Sequence, residues 1–264
     1  MLNINLLNLN VSEGHYGIVR RVERICPKHG KYTALICGKL VDGEIVNQNE
    51  LGCSRCRDEE YQRIANSEYE KSIWLKAFAD SGIPAFSKEN KVNEYKIYSQ
   101  EQVVARNSIV SWVKGDLRNI LFAGKTRTGK THLLVGALRG AALQGNTIKY
   151  ILESDLVLKI KDTYTSKNSS EYQIQQEYSN YDYLVIDEVG RATGTDKDKE
   201  IIRNLIIKRF NNKKSTAISS NLKMSDFNEY FGDVVFGKFK VSCQEINCVW
   251  ESYEDSNLKN LNET

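Results

Sequence analysis

Residues Gly124-Lys125-Thr126-Arg127-Thr128-Gly129-Lys130-Thr131 have the spacing G-x-x-x-x-G-K-T of a phosphate-binding loop. Successive backbone N–H groups in such a loop converge on an anion, and the dipole of the following helix adds to them. The loop needs a strand before it and a helix after it. Asn119 to Ala123 is a short apolar run that reads as a buried strand. From Thr131 to Leu143, Leu134, Leu138, Ala141 and Ala142 recur at helical spacing. The segment therefore predicts a nucleotide site for ATP, with Gly124 through Thr131 and the adjoining His132 as its binding stretch. Lys130 would reach the β- and γ-phosphates and the Thr131 hydroxyl would hold Mg²⁺.

Two further segments point to the same site. Tyr183-Leu184-Val185-Ile186-Asp187-Glu188 is an apolar run ending in two acids, as a buried parallel strand reads when its carboxyl end meets a ligand crevice. Asp187 would bind the Mg²⁺ directly or through water, and Glu188 would orient or deprotonate a water for attack on the γ-phosphate. Asp187 lies 57 residues beyond Lys130 (187 − 130), room for two crossovers. Ser215 to Ser219 reads as a third strand, followed by Ser220-Asn221, and a polar side chain there could hold the attacking water.

The chain of 264 residues is long enough for one large or two smaller domains. At 41% hydrophobic and 27% charged residues it is expected to be soluble and globular. No apolar run approaches the ~20 residues needed to span a bilayer. Met1 to Asn10 alternates Leu or Ile with Asn and lacks the basic start and long apolar centre of a signal peptide. A cytosolic location with reduced thiols is the expectation. Net charge is only +3, yet it is unevenly spread. Residues 201–225 carry Arg203, Lys208, Arg209, Lys213, Lys214 and Lys223 with no acid among them. Such clustering fits either a polyanion partner such as nucleic acid or a solvated helix face.

Residues 1–60 are short strand-like runs around cysteines, and Glu59 to Ala79 reads as a helix. Residues 85–100 are polar and read as an extended connector. From Gln102 to about Leu222 strands and helices alternate, which predicts a parallel α/β sheet with helices on both faces. Thr163 to Asn180 is rich in Ser, Gln, Tyr, Asn and Glu, and reads as an insertion or a polar helix.

Cys26-Pro27-Lys28-His29 and Cys53-Ser54-Arg55-Cys56 form C-x2-H and C-x2-C, with 23 residues between them. Two-residue spacing lets both ligands of a pair face one ion. Three thiolates and one imidazole suit a closed tetrahedral Zn²⁺ site, whose role would be structural. Cys37 competes for the fourth position. Cys243 and Cys248 alternate with Ile246 and read as core.

Together these pieces resemble the DnaC-type helicase loaders of bacteria and phages, within the AAA+ superfamily. The resemblance rests on C-P-x-H-G with a later C-x-x-C, on Gly82-Ile83-Pro84, and on the phosphate loop. It continues through Ile186-Asp187-Glu188-Val189-Gly190-Arg191, Ser219-Ser220-Asn221-Leu222 and Val249-Trp250-Glu251-Ser252-Tyr253. It implies a zinc-binding domain over 1–60, a helix and connector over 61–101, and an AAA+ ATPase domain over 102–264. It further implies that the amino-terminal domain docks on a replicative DNA helicase, and that the ATPase domain assembles beside further copies when ATP is bound and contacts single-stranded DNA. Asn221 would be the sensor, and Tyr164, Tyr172 and Tyr178 of the polar insert could stack on bases.

Three departures from the family pattern stand out. Arg127 occupies a position where many relatives have a third glycine; if φ is positive there, the cost is on the order of 1 kcal/mol. Lys238 stands where an arginine would reach a neighbouring subunit's γ-phosphate, and lysine lacks arginine's planar fork. Glu254 follows Ser252-Tyr253 where a phosphate-sensing base is expected. ATP binding with slow hydrolysis follows, with Arg209 as a substitute cation. An ATP-controlled adaptor with little turnover, or a transposition helper ATPase, are the alternatives.

Overall fold

The computed structural model describes residues 15–165, 170–191 and 195–252. The alternation of Met1–Asn10, part of the polar insert, and Tyr253 and Glu254 lie outside the described residues. The chain divides into two compact units, residues 1–71 and 72–264.

In the first unit β1 (Tyr16–Cys26), β2 (Gly30–Val41) and β3 (Glu44–Leu51) form an antiparallel sheet in that order. These strands are longer than the short runs expected, at 11, 12 and 8 residues. The turn from β2 to β3 is the two residues Asp42-Gly43, with φ of 48° and 78°. Both being left-handed, they match the right-handed twist of the flanking strands, which is why Asp-Gly favours this turn. The first cysteine–histidine pair, Cys26 and His29, sits at the turn between β1 and β2, where Cys26 pairs with Gly30. The second opens α1 (Ser54–Ser81), so this helix begins five residues before the Glu59 expected and carries Cys56 in its first turn.

The second unit takes the end of α1 and the segment after it. Residues 85–100 are not simply extended: they contain the 3-10 turns Ala85–Ser87 and Val92–Glu94 and pack inward. Tyr95 is buried, and the Trp74 indole donates to Lys88 O at 3.0 Å. The helix α2 (Gln100–Lys114) opens on a capping box in which Ser99 and Gln102 satisfy each other's backbone N–H. Then follow β4 (Asn119–Gly124), α3 (Lys130–Leu143), β5 (Ile148–Leu152), α4 (Glu153–Thr163), α5 (Glu171–Asn180), β6 (Tyr183–Val189), α6 (Asp196–Asn211), β7 (Ser215–Ser220), α7 (Phe227–Phe231), α8 (Asp233–Lys240) and β8 (Cys243–Cys248).

The sheet has the order β5-β6-β7-β4-β8, and every pairing is parallel. This is the α/β parallel sheet expected, with β8 added beyond Leu222. Both faces are covered, so alternate residues of one strand enter different cores. Ile120 and Phe122 pack with Trp112, Leu134 and Leu138, while Leu121 and Ala123 pack with Ile160, Ile202 and Phe231. The carboxyl ends of β4, β6 and β7 are neighbours in this order, and that edge is where doubly wound sheets bind ligands.

Two side chains expected to be available are built into the interior. Arg209 is 1% exposed; its guanidinium donates to Thr216 Oγ1 at 2.9 Å and to the carbonyls of Tyr178 and Tyr181 at 2.8 Å each. Burial pulls its pKa down to about 9. It fastens α6 to the turn before β6 and cannot serve as a substitute catalytic cation. Tyr178 is 2% exposed in the second core, so it cannot stack on bases, whereas Tyr164 and Tyr172 are exposed.

Candidate nucleotide and metal sites

The strand β4 ends at Gly124, whose φ is 121°. A Cβ at that position would lie 2.6 Å from Cys248 O, so only glycine lets the loop leave the sheet here. The loop is then pinned from several sides. Lys125 N donates to Cys248 O at 3.0 Å and Thr128 Oγ1 to Lys125 O at 3.0 Å. Thr128 O accepts from Tyr95 Oη at 3.1 Å and from Trp250 Nε1 at 2.9 Å. Arg127, between these anchors, has a φ of 59°, so the positive angle anticipated at that residue is present.

Lys130 is the first residue of α3 and is buried. Its ammonium donates to Gly124 O at 3.0 Å, to Lys125 O, and to Asn221 Oδ1 at 3.2 Å. Burial lowers its pKa, opposed by Cys248, Asp187 and Glu188. Carbonyls thus occupy the ammonium where a phosphate would compete for it. The Thr131 hydroxyl donates to Asp187 Oδ2 at 2.8 Å, across the gap between α3 and β6. Tyr150 Oη donates to the same oxygen at 2.7 Å, and Glu188 N to Asp187 Oδ1 at 2.8 Å. Burial, then the neighbouring Asp187 charge, holds the Tyr150 phenol above its ordinary pKa, so it stays a donor.

Glu188 lies where the register of β6 against β7 breaks, between Ile186 and Val189, and its φ is 58°. That break swings its side chain out of the strand's alternation, and its Oε2 accepts from Arg191 Nη1 at 2.5 Å. Strained backbone of this kind concentrates at functional sites. Thr126, Arg127, Gly129, Lys130, Thr131, His132, Asp187, Glu188, Ser219 and Asn221 line one cleft of about 200 Å³. That is below the ~300–1,000 Å³ of a pocket enclosing a drug-sized ligand, and so fits the phosphate end of a nucleotide better than the whole molecule. Gly124, Lys125 and Thr128 are not part of that lining, although the carbonyls of Gly124 and Lys125 accept from Lys130. His132 also packs on Tyr95, with ring centroids 5.8 Å apart. Lys238 is not part of the lining; it sits on α8 with its ammonium 6.0 Å from the Phe210 ring centroid.

A buried acid stands beside this cleft. Glu153, at the start of α4, accepts from Gly190 N at 2.7 Å and from the Tyr230 hydroxyl. Burial pushes its carboxyl up to about 7 against the opposing pull of the Gly190 N–H. Tyr150 and Glu153 gave no motif; their roles come from the register of β5 beside β6, in which Leu152 pairs with Asp187.

In the first unit the ligand atoms of Cys26, His29, Cys53 and Cys56 all lie within 4.8 Å of one another. His29 Nδ1 is 3.3, 3.6 and 3.7 Å from the sulfurs of Cys56, Cys53 and Cys26, and the sulfurs of Cys26 and Cys56 are 3.6 Å apart. Zn–S bonds of ~2.3 Å at tetrahedral angles give edges of roughly 3.8 Å, so the set fits zinc. Cys37, on β2, is outside the cluster. The backbone N–H of Lys28 favours the Cys26 thiolate. Sequence reading missed Glu59, whose Oε1 lies 3.0 Å from His29 Nε2 and whose other oxygen accepts from Lys28. A carboxylate on the far nitrogen of a metal-binding histidine fixes its tautomer and raises its basicity. The signal was available: Glu59 lies one helical turn after Cys56 and so shares its face.

Solved structures with similar folds include a crystal structure of the DnaC helicase loader, at TM-score 0.56 and 22% identity, covering 62% of this chain and 99% of that one. They also include the replication initiator DnaA bound to AMPPCP and single-stranded DNA, at TM-score 0.55 and 18% identity, covering 66% of this chain and 56% of that one. These show the fold, a parallel α/β sheet covered by helices and shared with these replication proteins. In sequence, the chain is homologous to the replicative helicase loader DnaC of Escherichia coli (strain K12), 28% identical over 236 residues that cover 88% of this chain and 91% of the relative. It is 23% identical over 248 residues to the same loader from Buchnera aphidicola subsp. Baizongia pistaciae (strain Bp), covering 91% and 96%. Residues 83–239, more than half of the chain, match the family of IstB-like ATP binding proteins, and the protein belongs to that family.

Proposed function

We propose that this protein is an ATP-dependent DNA replication factor that loads a replicative helicase. One observation carries the reading: the cleft that gathers Lys130, Thr131, Asp187, Glu188 and Asn221 sits in a chain homologous over nearly its whole length to DnaC loaders. In this reading residues 1–60 are the zinc module that meets the helicase, 61–101 the helix and connector, and 102–264 the ATPase domain. The location is the cytoplasm, and no helix among the described residues is long and apolar enough to cross a membrane.

Lys130 would exchange its carbonyl partners for the β- and γ-phosphates. The Thr131 hydroxyl and the Asp187 carboxylate, which already face each other, would hold Mg²⁺; when bound it would neutralise charge on the phosphoryl oxygens. Tyr150 would keep Asp187 oriented. Asn221, already 3.2 Å from Lys130, would sense the γ-phosphate or hold the attacking water. Glu188 must leave Arg191 to accept a proton from that water. The zinc ligands would close a four-coordinate site with no open position, hence a structural one.

Single-stranded DNA is the second partner in this reading. The rings of Tyr164 and Tyr172 are exposed, with Lys197 and Lys208 ammoniums 5.7 and 5.2 Å from their centroids. Aromatic faces with adjacent cations suit stacked bases and phosphates. The basic stretch contributes less than its charge count implied: Arg203 donates to Tyr230 O and Lys214 pairs with Asp182 at 2.7 Å.

A second reading, an ATP-controlled adaptor with little turnover, is favoured by the Glu188–Arg191 pair and by Lys238 in place of arginine. A transposition helper ATPase is disfavoured by the Cys3His cluster. A pull-down against the host's replicative helicase, with ATP and with ADP, tests loading. Nucleotide-sensitive capture is the expected result, and no capture in either state would overturn the loader reading. Phosphate release with and without single-stranded DNA then separates loader from adaptor.

A further inference from the structure

The groove between α5 and α6 holds another cavity, of about 430 Å³, whose lining shares no residue with the phosphate-loop cleft. Glu171, Tyr172 and Gln175 line it from α5, and Asn204, Ile207 and Lys208 from α6. Gln175 is 2% exposed, and its Nε2 donates to Ile201 O at 3.1 Å. That bond fixes the orientation of the amide and leaves Oε1 buried with no hydrogen-bond partner among the described residues. Buried polar groups are nearly always paired, so an unpaired acceptor on a residue that lines a cavity points to a donor arriving with a ligand.

The rest of the lining gives that ligand its chemistry. The Tyr172 ring is exposed, its hydroxyl accepts from Gln176 Nε2 at 3.0 Å, and the Lys208 ammonium lies 5.2 Å from its centroid. Ile207 packs against the second core and adds an apolar side. The Glu171 carboxylate accepts from the Tyr164 hydroxyl at 3.2 Å, which ties the groove to that exposed ring and to Lys197 beside it. A planar aromatic ligand with a donor on its edge and a phosphate attached matches ring, acceptor and cation together. Glu171 and Gln175 Oε1 are both acceptors, so an edge that presents only oxygen to them is disfavoured.

We propose that the α5–α6 groove is a base-selective subsite for single-stranded DNA. A base with an exocyclic amino group stacks on Tyr172 and donates to Gln175 Oε1, while Lys208 holds its phosphate. The inference rests on the single-stranded DNA reading and deepens it. Gln175 Oε1 is shielded in the unliganded chain, so the base reaches it after a side-chain rotation in the lining. Cytosine, adenine and guanine carry such an amino group, whereas thymine presents a carbonyl oxygen in its place. An aromatic ring stacks with every base, so the selection comes from the acceptor.

The test uses the full chain with zinc, Mg²⁺ and ATP. Fluorescence anisotropy measures binding of labelled oligodeoxycytidylate and oligothymidylate of equal length, at one salt concentration, to wild type, Gln175→Met, Tyr172→Ala and Tyr164→Ala. Wild type is expected to bind the cytosine strand about fivefold more tightly, the worth of one hydrogen bond. Gln175→Met should remove that preference by weakening the cytosine strand alone. Its melting temperature should stay close to that of wild type, because loss of the bond to Ile201 O is offset by removal of the unpaired acceptor. Tyr172→Ala, at an exposed ring, should weaken both strands about tenfold. No preference in wild type, or a preference kept in Gln175→Met, would overturn the proposal. So would an equal loss on both strands in Gln175→Met, since the amide would then serve packing only, and so would unchanged binding in Tyr172→Ala. If wild type binds neither strand, the DNA reading fails and this inference with it. If wild type binds both strands equally and Tyr164→Ala weakens both, the DNA reading stands and only this inference fails.

Discussion

The two units are held together by different physics. In the second, both faces of a five-stranded sheet are covered, and side chains such as Trp112, Phe122, Leu138, Ile202 and Phe231 are almost wholly buried. Among the described residues of the first, the buried apolar side chains are Cys26, Ala34, Ile36 and Cys53, and two of these are metal-ligand candidates. The described interior of this three-stranded sheet offers little against the conformational entropy of ordering its chain. The contrast teaches that the knuckle cluster is the core of the first unit. Structural zinc supplies folding energy directly, with apparent values of ~10–16 kcal/mol in zinc-finger peptides.

The largest expected effect follows. With zinc in the cluster, as proposed, a strong chelator should unfold the first unit and leave the second folded and able to bind ATP. Hydrogen exchange read by peptide would show protection lost across 16–51 and retained across β4 and β6. Full protection of 16–51 in metal-free protein would break the comparison, because the strands would then stand on burial and hairpin geometry alone.

Lys130→Ala is the complementary perturbation. It should weaken ATP binding by more than about a hundredfold, since the β/γ-phosphates lose their buried cation. Zinc content and protection of the first unit should not change. Titration with a fluorescent ATP analogue, beside elemental analysis of the same sample, checks both halves.

Glu59→Ala sharpens the account of the metal. It leaves the four candidate ligands in place but removes the acceptor on His29 Nε2. A loss of roughly 10–100-fold in zinc affinity is expected, as for other outer partners of histidine ligands. Competition with a chromophoric chelator reads it. Affinity equal to wild type would show that the knuckle turns alone orient the imidazole.

How much of this was legible depended on how local the physics is. The loop Gly124–Thr131 and the C-x2-H and C-x2-C pairs are short-range devices, where spacing alone fixes geometry, and each was readable. The parallel sheet followed from alternating strand and helix patterns. What escaped was direction across space. Arg209 and Tyr178 looked like a cation and a stacking ring because composition does not say which face of a helix turns inward; both turn inward. Tyr150, Glu153 and Tyr95 touch the site only through strand register or through a polar segment packing on the loop, and neither leaves a local pattern. The segment 85–100 misled for the same reason: it is polar in sequence yet carries Tyr95 into the interior.

Glu153 gives the second unit a pH dependence of its own. Burial raises its folded-state pKa to about 7, above the ~4.3 of an exposed glutamate. Between those values the folded state holds more protons than the unfolded state, so stability falls as pH rises from about 4.3 to about 7 and then levels off. In Glu153→Gln that slope should flatten. Thermal melts of the second unit across that range, wild type beside variant, provide the check. A parallel slope in the variant would assign the dependence to other groups.

The smallest effect concerns the double anchor on the loop. Thr128 O accepts from both Tyr95 and Trp250, and a carbonyl has two lone pairs, so either donor alone leaves it satisfied. Tyr95→Phe or Trp250→Phe should therefore each cost the net worth of one hydrogen bond, about 1 kcal/mol or less. For a unit of this size that lowers the melting temperature by roughly 2–4 °C. Removing both donors orphans the carbonyl, and an unpaired buried acceptor costs about 1–3 kcal/mol in itself. The double variant should consequently lose more than the sum of the single ones, a coupling that a double-mutant cycle measures. The first unit's melting should be the same in all four proteins. Strict additivity would mean that water satisfies the carbonyl once its partners are gone, and that the loop is held chiefly by Lys125 on Cys248 and the Thr128 hydroxyl.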